Sequence, residues 1–475
     1  MAEILTPDIC VIGAGSGGLT TAAAAAAFGV PVVLIERGRM GGDCLNYGCV
    51  PSKALLAAAH HAASVREAPR FGISTGEPRI DFAAVQRHVA EVIAAIAPND
   101  SVERFEGLGV TVLQASAAFV DARTVSAGGR LVRPRRFVIA AGSSPLVPPI
   151  EGLAATPHLT NETIFGLTTC PDHLVIIGGG PIGLEMAQAH RRLGAKVTVV
   201  EGETPLGRED ADLSAVVLDR LRAEGVAIEE RARVVRAGGE AGRIRVDIER
   251  CDGSTETIEG SHLLVAVGRA PNVAGLNLEA AGIDYNRHGI TVGRDLRTSN
   301  RRAYAIGDIA GGPQFTHLAN LHAGLVVRAI LFRLPIRTPR DTLPRVTYTD
   351  PPLGQVGLTA VEADARGINA DVLTWPYSDN DRAQTERRTE GLIKLVIGRR
   401  GRLVGAGVVG HAADEITNLL SLAIGKGLTV ADLRDFVSPY PTLAEIGKRA
   451  ATSYYVPYTR RPFVRRAIAL LRRFG

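Results

Sequence analysis

The stretch Asp8-Ile9-Cys10-Val11-Ile12-Gly13-Ala14-Gly15-Ser16-Gly17-Gly18 decides the fold. An unbroken apolar run ends in a glycine-rich turn, and an alanine-rich segment follows through Phe28. Such a run predicts a strand buried on both faces, as in a parallel sheet, and the alanines predict a helix. A second apolar run, Val32-Val33-Leu34-Ile35, ends in Glu36. The plan returns later in the chain: Leu174-Val175-Ile176-Ile177 leads into Gly178-Gly179-Gly180-Pro181-Ile182-Gly183, a helix, and Lys196-Val197-Thr198-Val199-Val200-Glu201. In both copies the acid lies 23 positions after the first glycine.

A glycine pattern alone says little. Here each copy follows a strand, opens a helix and sets a carboxylate at the end of the next strand, which is the context a dinucleotide requires. Gly13 and Gly178 permit the tight turn, Gly15 and Gly180 let backbone approach a pyrophosphate, and Gly18 and Gly183 let helix pack on strand. The pyrophosphate would rest on the positive end of the helix, with Glu36 or Glu201 accepting from ribose hydroxyls. Two such sites imply two nucleotides, such as a flavin and a nicotinamide. At Glu201 a carboxylate favours the 2′-hydroxyl of NAD and repels the 2′-phosphate of NADP, although Arg208 lies seven residues on.

Each module has a return strand closing in glycine: Phe137 to Gly142, and Leu263 to Gly268. The proline-rich stretch Pro145 to Gly152 marks the first exit, and Thr342 to Pro352 opens a further domain. That region mixes strand-like runs (Gly391 to Val396, Leu403 to Val409) with a helical one (Asp414 to Gly425), an α+β pattern. The expected class is α/β with two Rossmann-like domains plus a C-terminal α+β domain. The expected boundaries are 1–150 with 271–341, then 151–270, 342–457, and a tail over 458–475. At roughly 150 residues per domain, the 475 residues suit about three domains.

Composition narrows the class. With 46% hydrophobic and 22% charged residues the chain reads as soluble and globular, and no apolar run is long enough to span a bilayer. The N-terminus, Met1-Ala2-Glu3-Ile4-Leu5-Thr6-Pro7-Asp8, lacks the basic and apolar regions of a signal peptide, so a cytoplasmic location is expected. The net charge of +5, with a pI near 9.0, gives no argument for nucleic acid. Five cysteines are too few for a disulfide-stapled secreted protein. Cys10, Cys170 and Cys251 are scattered and read as packing residues.

Cys44 and Cys49 differ. They lie in Gly41-Gly42-Asp43-Cys44-Leu45-Asn46-Tyr47-Gly48-Cys49-Val50-Pro51-Ser52-Lys53. A zinc site would want a second Cys/His pair at ligand spacing, which is missing, and the adjacent His60 and His61 cannot both face the cysteines. No metal site is therefore expected. Cys49 precedes Pro51 at the start of a predicted helix, whose dipole favours a thiolate able to attack a flavin or a disulfide.

This motif resembles the redox motif of the flavoprotein disulfide reductases, the family of glutathione reductase, dihydrolipoamide dehydrogenase and mercuric reductase. The resemblance extends to the paired fingerprints, to Val267-Gly268-Arg269-Ala270-Pro271-Asn272, to Tyr304-Ala305-Ile306-Gly307-Asp308 and to Val346-Thr347-Tyr348-Thr349-Asp350-Pro351. It implies an FAD enzyme using NAD(H), built as a homodimer, with a redox-active disulfide bond between Cys44 and Cys49. It assigns 1–150 and 271–341 to FAD, 151–270 to NAD(P), and 342–457 to the interface. Cys44 would be the interchange thiol, Cys49 the thiol at the isoalloxazine, and Lys53 with Glu185 the ion pair near the flavin N5. Asp308 would hold the ribityl or pyrophosphate region, Glu36 the adenosine ribose, and the backbone at His317 would approach the flavin. Gly42, Asp43 and Gly142 fall in the same cofactor motifs, and Ala117 stands where the family has a small residue beside the adenine.

One position departs from the disulfide-reducing members. They carry a histidine before Pro-Thr near the C-terminus, with a glutamate five residues on, whereas this chain reads Tyr440-Pro441-Thr442-Leu443-Ala444-Glu445. Histidine titrates near 6.5 and is a usable base at neutral pH, but only about one tyrosine in a thousand is phenolate there. Mercuric reductases share the tyrosine, but they add a C-terminal cysteine pair, and this chain has no cysteine after Cys251. The expected acceptor is thus a small-molecule disulfide, a metal ion such as Hg(II), or a quinone-like oxidant. Mercuric reductase proper and dihydrolipoamide dehydrogenase stand as alternatives, and a flavin-binding sensor or membrane-surface scaffold as a rival of another class. In the family the C-terminal residue serves the partner's site, so Tyr440 and Glu445 would act across the dimer.

The last 16 residues hold six arginines. Between them Phe463, Ala467, Leu470, Leu471 and Phe474 recur at helical spacing, a pattern suited to an anionic membrane surface or to a solvated or dimer-docked terminal helix.

Overall fold

The computed structural model describes residues 3–339 and 341–474. Met1, Ala2, Arg340 and Gly475, which belong to the expected first domain and tail, lie outside the described residues. The chain packs as two compact units. One holds the residues up to 178 with 189–200 and 232–338, and the other holds 179–188, 201–231 and 339–475.

The first unit is built on a five-stranded parallel sheet in the order Ala303–Ala305, Arg136–Ile139, Ile9–Ile12, Val32–Glu36, Val110–Gln114. Ile9–Ile12 is buried at every position, as a strand covered on both faces must be. It pairs with Val32–Glu36 on one side and Arg136–Ile139 on the other. The sheet therefore grows on both sides of this strand, and the strand order reverses at its carboxyl end, where open parallel sheets form a crevice. The helix Ser16–Ala27 follows Gly15 directly. Its small residues let the helix Thr316–Leu331 come close; a Cβ on Gly17 would stand 3.3 Å from the Ala319 carbonyl oxygen. An antiparallel sheet, Ala117–Asp121, Thr124–Ala127 and Arg130–Val132, adds Phe119, Val125 and Val132 to the core beside Phe137.

Three more parallel strands repeat the plan: His173–Ile177 lies between Lys196–Glu201 and His262–Val265. An antiparallel sheet of Ala232–Glu240, Arg243–Arg250 and Thr255–Gly260 adjoins them. Both return strands stop earlier than the sequence suggests, at Ile139 and Val265. Ala140 leaves the sheet to cover the glycine turn, where a Cβ on Gly13 would stand 2.4 Å from the Ala140 carbonyl oxygen.

In the second unit a five-stranded antiparallel sheet runs Arg345–Thr347, Leu353–Gly357, Leu403–Val409, Leu392–Ile397, Asp371–Pro376. The helix Ala413–Gly425 lies across it so closely that a Cβ on Gly354 would overlap the Thr417 hydroxyl. Val356, Ile393, Leu395, Val408, Ile416, Leu420 and Ile446 form its core. The helix Glu445–Ser453, a turn at Val456–Thr459 and the helix Pro462–Leu471 complete the chain. No helix among the described residues is long and apolar enough to cross a membrane.

Of the scattered cysteines, Cys10 is fully buried in the sheet and its thiol is pushed up by that burial. Cys170 is half-buried. Cys251 is exposed in the turn after Arg243–Arg250, which corrects its reading as a packing residue: a tight turn leaves no neighbour to cover it.

Candidate active site

The redox segment hangs from the first glycine turn. Gly41 and Gly42 both take positive φ, 86° and 59°, and a Cβ on Gly42 would stand 2.6 Å from the Gly15 Cα. A short helix, Gly42–Asn46, carries Cys44, and the Asn46 amide donates to the carbonyls of Met40 (3.0 Å) and Gly42 (2.8 Å), closing the loop on itself. Cys49 is the first residue of the long helix Cys49–Glu67, where unpaired amide groups favour negative charge.

Cys44 is half-buried and Cys49 exposed. The two sulfurs are strongly unequal. Cys49 is pulled down to about 6, first by a hydrogen bond from Cys44, then by one from Thr316 and by the Lys53 charge, against the opposing effect of burial. The Thr316 hydroxyl stands 3.3 Å from the Cys49 sulfur. Cys44 is pushed up, first because it donates to Cys49 and then by burial. The arrangement thus holds Cys49 as thiolate and Cys44 as thiol.

A polar chain runs beside them. Asp43 pairs with Arg269 (3.0 Å) and accepts from the Asn161 amide (2.9 Å). Arg269 donates to the Ser143 hydroxyl (2.7 Å) and carbonyl (2.8 Å), and Ser143 donates to Asp308 (2.6 Å). Burial pushes the Asp308 carboxyl up, with Ser143 and Arg269 working against it. Sequence reasoning named Asp43 and Asp308 but missed Arg269, Ser143, Asn161 and Thr316. Arg269 was legible in principle as a cation in a glycine-proline motif between two acidic ones.

Both nucleotide turns share one geometry. The Ala14 amide donates to Glu36 (2.6 Å), as does Gly38 (2.6 Å); the Gly179 and Glu203 amides donate to Glu201 (2.7 and 2.9 Å). Each acid therefore sits against its glycine turn. A Cβ on Gly180 would meet nothing within 4 Å, and one on Gly15 only the Gly42 Cα at 4.0 Å. The space over each helix start is thus clear for a pyrophosphate, and the residues fit two dinucleotides. Gly18 would overlap the Gly13 carbonyl if it carried a Cβ, and Gly183 is buried in the first turn of the helix Pro181–Arg192. Gly142 and Gly268 close their return segments at positive φ.

The remaining expected residues are placed as follows. Ala117 is buried opposite Ala127. The His317 ring stacks on Phe315 (5.1 Å between centroids). Lys53 lies one turn beyond Cys49 in the first unit, and Glu185, buried in the second, accepts from the Tyr348 amide (2.9 Å). Tyr440 is exposed and its hydroxyl donates to Asp381 (2.9 Å), whose charge raises the phenol further. Glu445, at the start of its helix, pairs with Arg449 (3.0 Å).

Two nucleotide turns and a polarised thiol pair on parallel α/β domains define a nucleotide-dependent dithiol oxidoreductase. Residues 7–323 match the pyridine nucleotide-disulphide oxidoreductase family and 343–451 match that family's dimerisation domain; the chain belongs to this family. It is an FAD-dependent flavoprotein oxidoreductase with NAD(P)H as electron donor. It is 36% identical to a mercuric reductase of Streptomyces lividans, covering 94% of this chain and 96% of that one. It is 35% identical to a dihydrolipoyl dehydrogenase of Geobacillus stearothermophilus, covering 94% and 95%. Among solved structures it resembles the Cu(II) complex of the HOCl-induced flavoprotein disulfide reductase RclA from Escherichia coli, with a TM-score of 0.84 and 28% identity over 94% of this chain and 99% of that one.

Proposed function

We propose that the chain is a homodimeric, NADH-preferring reductase whose Cys44–Cys49 pair delivers two electrons to a thiophilic metal ion or a disulfide, with the metal ion as the better fit. The boundaries that go with this reading are 1–150 and 271–341 for FAD, 151–270 for NAD and 342–457 for the subunit interface. The first glycine turn, Glu36, Gly42, Asp43, Ala117, Gly142, Asp308 and the backbone at His317 would hold FAD. The second turn with Glu201 and Gly268 would hold NADH, and Lys53 with Glu185 would stand near the reacting rings. When bound, FAD supplies the two-electron relay between nicotinamide and sulfur.

The observation that carries the reading is the inequality of the two sulfurs. Cys49, held as thiolate by Cys44, Thr316 and Lys53, takes the proton that Cys44 must lose to become a nucleophile. With a disulfide acceptor, Cys44 attacks one sulfur and expels the first thiolate. That leaving thiolate takes the proton back from Cys49, which as thiolate attacks Cys44, expels the second thiolate and closes the disulfide. With a metal ion, both sulfurs bind it and give up the same two electrons, to one Hg(II) or to two Cu(II). Tyr440 favours the metal ion. Its phenol is tied to Asp381 and raised, so it is a poor base for stripping protons from a dithiol such as dihydrolipoamide, and binding a soft cation needs no such base. The names of the relatives, mercuric reductase foremost, agree with this choice.

The test is an NADH-driven acceptor panel of Hg(II), Cu(II), glutathione disulfide and lipoamide on the holoenzyme. Cys44→Ser and Cys49→Ser should each cut metal-ion reduction at least about a hundredfold, while NADH oxidation by an artificial quinone survives. Lipoamide turned over faster than either metal ion would overturn the acceptor assignment.

A further inference from the structure

The C-terminal segment beyond residue 451 lies outside the match to the dimerisation domain, and no step of the chemistry above uses it. After Glu445 the chain has no acidic residue, but it carries Lys448, Arg449, Arg460, Arg461, Arg465, Arg466, Arg472 and Arg473. It is tied down at its start. Tyr454 and Tyr455 pack against the core of the second unit, the Tyr458 ring lies tilted beside both with centroids 6.2 Å away, and Arg461 lies 4.2 Å over the Tyr458 ring.

The helix Pro462–Leu471 follows, with proline at its first turn. At 3.6 residues per turn, Phe463, Val464, Ala467, Ile468, Leu470, Leu471 and Phe474 fall in one arc of roughly 160°, and the four arginines from Arg465 on fall in an opposing arc of roughly 120°. The apolar arc is not folded back on the protein: Phe463 and Phe474 are each 81% exposed and Leu471 is 67% exposed. Large exposed apolar faces mark contact surfaces.

We propose that this segment, residues 458–474, docks the enzyme on an anionic lipid bilayer surface. The helix lies in the plane of the headgroups, with the phenylalanines and leucines in the acyl boundary and the arginines on lipid phosphates. Charge selects this occupant over a second copy of the tail, since two segments whose side-chain charges are all positive repel. The bulky apolar arc selects it over nucleic acid, which would use the arginines and leave the phenylalanines in water. At ten residues the helix is too short to span, so the contact is peripheral and salt-sensitive.

The test is co-sedimentation of the full-length holoenzyme with phosphatidylglycerol-containing vesicles and with pure phosphatidylcholine vesicles. Binding to the anionic vesicles at least about tenfold tighter, weakening as salt is added, is expected. Phe463→Ser with Leu471→Ser, and separately Arg465→Gln with Arg466→Gln, should each remove most of that binding and leave NADH turnover with a soluble acceptor unchanged. Equal partition to both vesicle types, or none to either, overturns the proposal. So does a Phe463→Ser/Leu471→Ser variant that changes the oligomeric mass and keeps its vesicle affinity, since the apolar face would then belong to another copy of the chain.

Discussion

Replacing Thr316 by valine keeps the side chain's shape and removes the hydroxyl that stands 3.3 Å from the Cys49 sulfur. A hydrogen bond to an ionised group contributes roughly 1.5–3 kcal/mol, and sulfur, a weak acceptor, belongs at the low end. One pKa unit corresponds to about 1.4 kcal/mol, so the loss should raise the Cys49 thiol by about one unit. Starting from about 6, the thiolate fraction at neutral pH would fall from about nine-tenths to about half. The readout is the pH profile of Cys49 alkylation in the reduced holoenzyme, with Cys44 and Cys49 distinguished by peptide sequencing. Because the two sulfurs titrate as a pair, the midpoint belongs to both, and Cys44→Ala, which removes the other donor to Cys49, serves as the companion, with a larger upward shift expected. A midpoint unmoved by Thr316→Val, beside a clear shift in Cys44→Ala, would show that the hydroxyl only fills space and would refute the role given to it.

Three further outcomes follow from the same geometry. Gly42→Ala should cost most of the bound flavin, since its Cβ meets backbone at Gly15 that has no flexible end to move; the visible absorbance of purified protein checks it, with Gly107→Ala, which meets nothing within 4 Å, as control. Glu201→Gln should raise the NADPH-to-NADH ratio of kcat/KM by about tenfold by removing the charge that opposes a 2′-phosphate; an unchanged ratio would move discrimination elsewhere. Burial holds His322 down at about 4, and it accepts from the Gly307 amide. From pH 6.5 down to about 4 the unfolded chain therefore binds a proton that the folded chain refuses, and stability falls with pH by at most about 1.4 kcal/mol per unit. The Tm of His322→Asn should decline less over that window, and parallel profiles would contradict it.

What the sequence revealed and what it hid divide by range. The glycine turns, Glu36, Glu201 and the position of Cys49 at a helix start depend on neighbours within a few dozen residues, so local pattern and periodicity expose them. Thr316 reaches Cys49 across 267 residues, and Arg269 joins Asp43 to Ser143 and Asp308 only after two distant segments pair, Ser143–Pro145 with Arg269–Pro271. Nothing in a one-dimensional pattern chooses such partners. Tyr440 shows the same limit. Its substitution for histidine was visible, but its bond to Asp381, 59 residues earlier in the chain, was not.

The unequal sulfurs also fix which way the closed disulfide breaks. In thiol exchange the sulfur with the lower pKa departs faster. An external thiol should therefore strike Cys44 and release Cys49, already stabilised as an anion by its helix, Thr316 and Lys53. One polarity thus serves traffic in both senses through the pair, and the balance of oxidised and reduced nicotinamide in the cell sets the net direction of electron flow.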